Sequence, residues 1–200
     1  MEFRLVYEGS LKASGNKATH VSEKHSIRKQ IHKQLAQLFE CNPVLKYWKT
    51  NPNTLGGNST DGTVPYLDYL ADTFSRCGYR FVPLVHRGEH MVCSLNILFL
   101  RRENPGDLIL PGGDVDNRIK TLLDALRMPE TCNEIVGGPE ASENPFFCLL
   151  QNDSLVTQLK VNTDRLLVPL KDNQHPNEVV LIIKVKIGFT ERTLWNLDLG

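Results

Sequence analysis

The chain has 200 residues, which is close to the size of one domain, so one domain with long loops or insertions over residues 1–200 is expected rather than a multidomain assembly. Hydrophobic residues make up 40% of it, a normal share for a globular protein that folds without the help of disulfides or metals. The 23 Lys and Arg residues balance 23 Asp and Glu residues, giving a formal net charge of +0. A strongly basic protein that binds nucleic acid indiscriminately is therefore disfavoured, and any contact with nucleic acid must use a local patch.

The cysteines and the amino-terminal residues bear on the compartment. Five cysteines are present, at Cys41, Cys77, Cys93, Cys132 and Cys148. Their wide spacing and odd number predict reduced thiols in a cytosolic protein. The segment 1–4 carries charges where a signal peptide needs an apolar core, and no stretch approaches the ~18 apolar residues of a membrane span. We therefore expect a cytoplasmic protein that is not inserted in a membrane.

The first elements in chain order are a strand and a basic amphipathic helix. Alternating apolar residues predict a strand around Phe3, Leu5 and Tyr7, and a polar loop is predicted over 12–19. A helix capped by Ser22 should follow, with apolar residues at spacings of four, four and three at Ile27, Ile31, Leu35 and Leu38. Residues 1–60 hold nine Lys or Arg against four Asp or Glu, so this part of the chain is basic.

The remaining pattern predicts more strands and a second helix. Strand-like runs over 79–86 and 91–101 are joined by residues 87–90, which predicts a hairpin. Residues 115–127 have helical periodicity, and residues 155–168 and 179–187 read as two further strands. Segments rich in Gly, Pro and Asn predict long loops or insertions near 51–65 and 129–150. The sum is an α/β (α+β) fold with a single mixed β-sheet and two principal helices.

The most informative segment leads into the second helix. Gly112 and Gly113 precede Asp114 and Asp116, and Lys120 follows Asp116 by four residues. Two carboxylates one residue apart in extended chain project to the same side and can bind a hard cation such as Mg²⁺. A lysine one helical turn later lies on the face of Asp116, within reach of a phosphate held by that cation. The structural alternative is that Asp116 caps the helix, that Asp114 favours its dipole and that Lys120 is a solvated ion-pair partner.

A second acidic position favours the metal hypothesis. Asp153 lies just ahead of a predicted strand, after a loop long enough to return to the helix start. Three carboxylates that converge in a poorly solvated cleft repel each other, and a cation is their natural neutraliser.

These residues resemble a known family. The pattern Asp-x-Asp-Asn-x-x-Lys at the head of a helix, followed by an acidic turn and a strand, resembles the RusA-type Holliday junction resolvases, the crossover junction endodeoxyribonucleases. The short first strand, the polar loop and the helix that opens near 19–22 are similar to the amino-terminal layout of that family. The likeness spans most of the chain in element order, and its specificity lies in residues 114–126 and 153.

The resemblance implies a homodimeric endonuclease, dependent on Mg²⁺ or Mn²⁺, that hydrolyses phosphodiester bonds in branched DNA such as Holliday junctions. Asp114, Asp116 and Asp153 match the metal-binding carboxylates, and Lys120 matches the catalytic lysine; whether one ion or two bind stays open. Asn117 and Asp124 match supporting positions, and Asp124 either orients the Lys120 ammonium or forms a plain salt bridge. The turn has Asn152 before Asp153, where the family often has two adjacent acids.

Contacts with DNA are expected from basic side chains on the first helix and at the end of the predicted hairpin. These residues are Lys24, Arg28, Lys29, Lys33, Arg101 and Arg102. The basic helix face is equally consistent with an ordinary solvated surface. Two alternatives to the nuclease hypothesis are a catalytically inactive DNA-binding or scaffolding protein of this fold, and a Mg²⁺-dependent enzyme that acts on nucleotides or RNA.

Overall fold

The computed structural model describes residues 1–12, 17–50, 64–102, 115–167, 178–192 and 196, and of residues 17–19 only the backbone. Within these ranges the chain forms four α-helices and seven strands. The helices are α1 (Lys17–Cys41), α2 (Pro43–Thr50), α3 (Tyr66–Thr73) and α4 (Val115–Leu126). The strands are β1 (Glu2–Ser10), β2 (Ser75–Arg76), β3 (Tyr79–Val85), β4 (Met91–Arg101), β5 (Phe146–Leu150), β6 (Val156–Arg165) and β7 (Glu178–Phe189).

The strands belong to two sheets. A four-stranded sheet has the order β1-β7-β4-β6, and a three-stranded sheet has the order β2-β3-β5. In the larger sheet β7 is antiparallel to both β1 and β4, whereas β6 runs parallel to β4 at the edge. The predicted α+β class is confirmed, but the expected single sheet is wrong.

The predicted hairpin between residues 79–86 and 91–101 is also wrong. Both strands exist, but β3 pairs with β2 and β5 while β4 pairs with β6 and β7. The connection is a 3-10 turn over Arg87–Glu89 that ends at His90 in the left-handed conformation. Pro83 in the middle of β3 has no N–H to donate, and the short β2 does not extend beside it. A turn does lie at the predicted place, but it connects strands that belong to two different sheets.

Helix α1 packs against β1, β5 and α4 and supplies much of the core. Of its four predicted apolar positions, Ile27, Ile31 and Leu35 are buried, and Leu38 is half-buried against the core. The helix begins at Lys17 rather than at Ser22, which lies inside it. No proline or glycine stands between these two positions, so nothing in that stretch stops helical backbone. The predicted polar loop is shortened accordingly, and residues 13–16 lie outside the described ranges.

The region predicted as a loop over 129–150 contains regular structure. Two 3-10 turns, Cys132–Glu134 and Ala141–Glu143, precede β5, whose five residues are all buried. Sequence reading missed β5 because a short, uniformly apolar run has no period of two. It also missed α2 and α3, which have eight residues each. Residues 51–63, most of the other predicted loop, lie outside the described ranges.

One disulfide corrects the expectation that all cysteines are reduced. Cys77 and Cys132 are joined, with their Cα atoms 5.4 Å apart and a separation of 55 positions in sequence. The fold brings a turn before β3 next to the 3-10 turn after α4, and a separation of that size gives no pairing signal in the sequence. Cys41, Cys93 and Cys148 are free. Within the described ranges, no helix combines the length and apolar character needed to cross a bilayer.

Candidate active site

An open groove of about 420 Å³ lies between α4 and the edge strand β6. Four of the predicted polar site residues line it, together with apolar side chains of both elements. The polar lining consists of Asp116, Lys120, Asp124 and Asp153, and the apolar lining of Val115, Ile119, Leu123, Leu159 and Val161. The structure therefore brings the second helix and the distant acidic turn to one place.

Helix α4 presents Asp116 and Lys120 to the groove because residues four apart share a helix face. Both side chains are exposed at the surface, while Leu122, on the opposite face, is fully buried in the core. Asp116 Oδ1 accepts the backbone N–H of Asn117 at 2.7 Å, so the carboxylate is held at the start of the helix. Among the described residues Lys120 forms no ion pair. The structural alternative, in which Lys120 is a solvated ion-pair partner, expected one.

Asp153 reaches the groove from the crossover between the two sheets. It begins a 3-10 turn, Asp153–Leu155, which follows β5 and leads directly into β6. Leu155 is buried and anchors this turn, whereas Asp153 is exposed. Within the described part of the chain, the Asp153 carboxylate has no hydrogen-bond or ion-pair partner. It is free to bind a ligand in the groove.

Neighbouring residues hold the Asp153 turn in place. Asn152 caps it, with Oδ1 accepting the backbone N–H of Ser154 at 3.0 Å. Arg87, from the turn between β3 and β4, donates from Nη2 to Ser154 Oγ at 3.0 Å. Its backbone N–H also donates to Gln151 Oε1 at 2.9 Å. Two connections that are far apart in sequence thus fix the position of the acidic turn.

Asp124 lines the groove, but its carboxylate is already paired with cationic side chains. Its Oδ2 accepts a hydrogen bond from Lys24 Nζ at 2.5 Å, and its Oδ1 lies 3.7 Å from Arg127 Nε. Neither contact involves Lys120, so the expected interaction of Asp124 with Lys120 is not found among the described residues, and Asp124 pairs with Lys24 and Arg127 instead. This pair joins α4 to α1.

The donor set suits a hard cation. The described residues that line the groove supply carboxylate oxygens and neither thiolate nor imidazole, which matches Mg²⁺ or Mn²⁺ rather than Zn²⁺. Of the described carboxylates that line the groove, Asp116 and Asp153 have no cationic partner among the described residues. The third predicted ligand, Asp114, lies outside the described ranges, and within those ranges no group of three His, Cys, Asp or Glu side chains able to hold a metal is present.

The six basic residues predicted to contact DNA have different surroundings. Arg28 is only 1% exposed and donates to the backbone carbonyls of Asp124, Arg127 and Glu134. Arg101 is 2% exposed. Buried guanidinium groups cannot meet a phosphate at the surface, so the expectation is corrected for Arg28, which was expected on the basic side of the first helix, and for Arg101, which was expected at the end of the hairpin.

The other four basic residues are more accessible. Lys29 pairs with Glu140 at 2.7 Å and with Glu143 at 2.9 Å. The pairing raises the pKa of the Lys29 ammonium. Lys24 is occupied by Asp124, Arg102 is half-buried and Lys33 is exposed. Of the predicted set, Lys33 is thus the residue on α1 that is both exposed and outside any described ion pair.

Sequence reading missed several residues that shape the groove. Leu159 and Val161 form its β6 wall, and their alternation in the predicted strand is the signal that places them on one face. Arg87 was missed because its role depends on a contact with Ser154, 67 residues later. No local sequence pattern predicts a contact between residues so far apart in the chain.

Comparisons with family models, with curated proteins and with solved structures find no match to this chain.

Proposed function

We propose that the protein is a metal-dependent endonuclease that hydrolyses phosphodiester bonds in branched DNA, with its active site in the groove between α4 and β6. One observation carries the proposal: Asp116, Lys120 and Asp153, which come from two distant segments, line the same groove. The RusA-type pattern supplies the substrate class. Homodimerisation is part of the same proposal.

Asp116 and Asp153 would hold a divalent cation through their carboxylate oxygens, and Asp114, two residues before Asp116, would add a third carboxylate. Held in this way, the ion would lower the pKa of a bound water and polarise the scissile phosphate. Neither Asp116 nor Asp153 has a cationic partner among the described residues, so a bound cation would not have to displace an existing ion pair.

Lys120 would act on the phosphate. Its ammonium lies one helical turn from Asp116 and forms no ion pair among the described residues, so a substrate anion does not have to displace a carboxylate from it. A fixed positive charge beside the phosphate stabilises the charge that develops in the transition state. Removal of one such donor costs roughly 10²- to 10³-fold in rate.

The test is cleavage of labelled four-way junction, fork and linear duplex, each with and without Mg²⁺. We expect Mg²⁺-dependent nicking of the branched substrates, lost by about 10²-fold or more in Asp116→Asn, Asp153→Asn and Lys120→Met. Asp164→Asn is the matched control, because Asp164 is exposed on the same strand β6 but lies outside the groove.

The outcomes separate the candidate functions. Absence of metal-dependent nicking on every DNA substrate, with binding retained, would favour the inactive DNA-binding alternative. Turnover of RNA or nucleotides without action on DNA would assign the groove to a different phosphodiester or phosphate substrate. Cleavage that survives Asp116→Asn would show that the activity does not arise in this groove.

A further inference from the structure

The face of the four-stranded sheet turned away from α1 and α4 has a distinct pattern. Side chains of directly paired residues point to the same side of a sheet, and successive residues of a strand alternate. The inner positions, such as Leu5, Ile183 and Ile97, are fully or almost fully buried. The intervening positions therefore form the opposite face, which we call the outer face.

Strand register divides the outer face into two halves. One row runs across all four strands through Arg4, Lys184, Asn96 and Lys160, and the next through Glu2, Lys186, Ser94 and Gln158. These two rows are the polar half. The following row, with Val6, Ile182 and Leu98, is mostly apolar. The positively charged side chains therefore lie at one end of the outer face.

The polar half carries four cations and one carboxylate. Glu2 pairs with Lys184 at 2.9 Å, while Arg4, Lys160 and Lys186 form no ion pair with a described residue and are exposed. Arg4 stands directly opposite Lys184, and like charges in that relation destabilise a sheet. A sheet that keeps this arrangement presents a surplus of positive charge to solvent.

The electrostatic effect is visible at Glu2. A hydrogen bond from Lys184, helped by the charges of Lys184, Arg4 and Lys186, holds the pKa of the Glu2 carboxyl below its usual value. A shallow concavity of about 160 Å³ lies between the strands here. It is lined by Ser94, Leu95, Asn96, Gln158, Lys160, Lys184 and Lys186. Amides and a hydroxyl among the lysines are the donors that contact phosphate and sugar oxygens in protein complexes with DNA.

The polar half adjoins the candidate active site across a single strand. Leu159 and Val161 of β6 face the groove, whereas Gln158 and Lys160 face the concavity on the other side. Since β6 is the edge strand, no further described strand separates the two surfaces. A backbone that passes around this edge would meet lysines on one side and the groove on the other.

We propose that the polar half of the outer face binds the sugar–phosphate backbone of DNA and carries an arm of the substrate past β6 into the groove. The identity of the polyanion as DNA rests on the proposed function. Burial of this half against a second copy of the chain is disfavoured, because it would desolvate three cations that have no carboxylate partner among the described residues.

The test measures DNA binding without cleavage. Fluorescence anisotropy of a labelled four-way junction is followed in EDTA over a range of salt concentrations, comparing wild type with Lys160→Gln/Lys186→Gln. The matched control is Lys12→Gln/Lys46→Gln, which removes the same charge from exposed lysines after β1 and on α2.

The sheet-face variant should bind about 10-fold more weakly near physiological salt, with the slope of log K against log salt smaller by about 2, since each lost phosphate contact removes ~0.9. The control should match wild type. Equal effects of the two pairs, or a larger effect of the control, would overturn the proposal. A changed monomer–dimer equilibrium in sedimentation of the sheet-face variant would also overturn it, because the face would then be a subunit contact. The binding assay contains no divalent ion, so it does not depend on metal-dependent cleavage. A negative result would therefore reject the proposed DNA-binding face without deciding whether the groove cleaves DNA.

Discussion

At the scale of single residues, the groove contains carboxylates in two electrostatic situations. Asp124 is paired with Lys24 and Arg127, and its side chain is 18% exposed. Asp116 and Asp153 are exposed and have no described cationic partner. A paired carboxylate contributes to the stability of the fold, whereas an unpaired one remains available to a ligand. The same residue type therefore has separate roles within one groove.

The pairing predicts a measurable coupling between α1 and α4. A double-mutant cycle with Lys24→Met and Asp124→Asn should give a coupling free energy of about 1 kcal/mol, since the pair is partly buried and well formed. Urea unfolding of the two single variants and the double variant provides the values. We also expect Asp124→Asn to keep divalent-ion binding. Loss of ion binding without loss of stability would mean that Asp124 is a ligand instead.

At the scale of elements, α4 joins the core to the candidate site. Leu122 is fully buried in the core, whereas its neighbour Leu123 is half-buried and lines the groove. One helix thus has a face that stabilises the fold and a face that forms the site wall. Substitution of each of these adjacent leucines therefore tests one face of the helix separately from the other.

Truncation of these leucines should have unequal effects. Leu122→Ala is expected to lower the free energy of unfolding by roughly 2 to 5 kcal/mol, as a core cavity does. Leu123→Ala should cost clearly less, because solvent can fill the space that the side chain leaves in an open groove. Chemical denaturation of both variants measures the difference. Equal losses would mean that Leu123 is a core residue and that the groove is closed in solution.

The sequence predicted those elements whose signal is local. Helix α4 and its i, i+4 pair of Asp116 and Lys120 follow from helical periodicity, as do the buried positions of α1. The partners of β3 and β4 were not predictable, because alternation shows that a strand exists but not which strand it pairs with. The turn of Asp153 is contacted by Arg87 through Ser154, and Cys77 forms its disulfide with Cys132 in a turn that is distant in sequence. Long-range contacts of this kind leave no trace in a single sequence.

At the scale of the whole molecule, burial of neutral histidines links the fold to pH. Burial lowers the pKa of His25 and His32, and it lowers that of His86 to about 4. His86 is 1% exposed, with Nε2 3.4 Å from the Tyr66 hydroxyl. An unfolded histidine titrates near ~6.5, so the unfolded chain binds protons that the folded chain excludes. The stabilisation is complete above that pH and is lost as pH falls towards 4.

Acid should therefore destabilise the protein through His86. Between pH 7 and pH 5 this residue alone should lower the free energy of unfolding by about 2 kcal/mol. Denaturation at a series of pH values should show a shallower dependence in His86→Gln than in wild type. If His86→Gln keeps the wild-type slope, His86 is not the residue that titrates.

The most direct test of the central claim is binding of Mn²⁺ as a stand-in for Mg²⁺, followed by electron paramagnetic resonance in the wild type, Asp153→Asn and Asp164→Asn. We expect that wild type binds the ion, that Asp153→Asn weakens binding by about 10-fold or more and that Asp164→Asn does not change it. Wild type without a bound ion, or Asp153→Asn with wild-type affinity, would contradict the claim that the helix start and the acidic turn form one metal site.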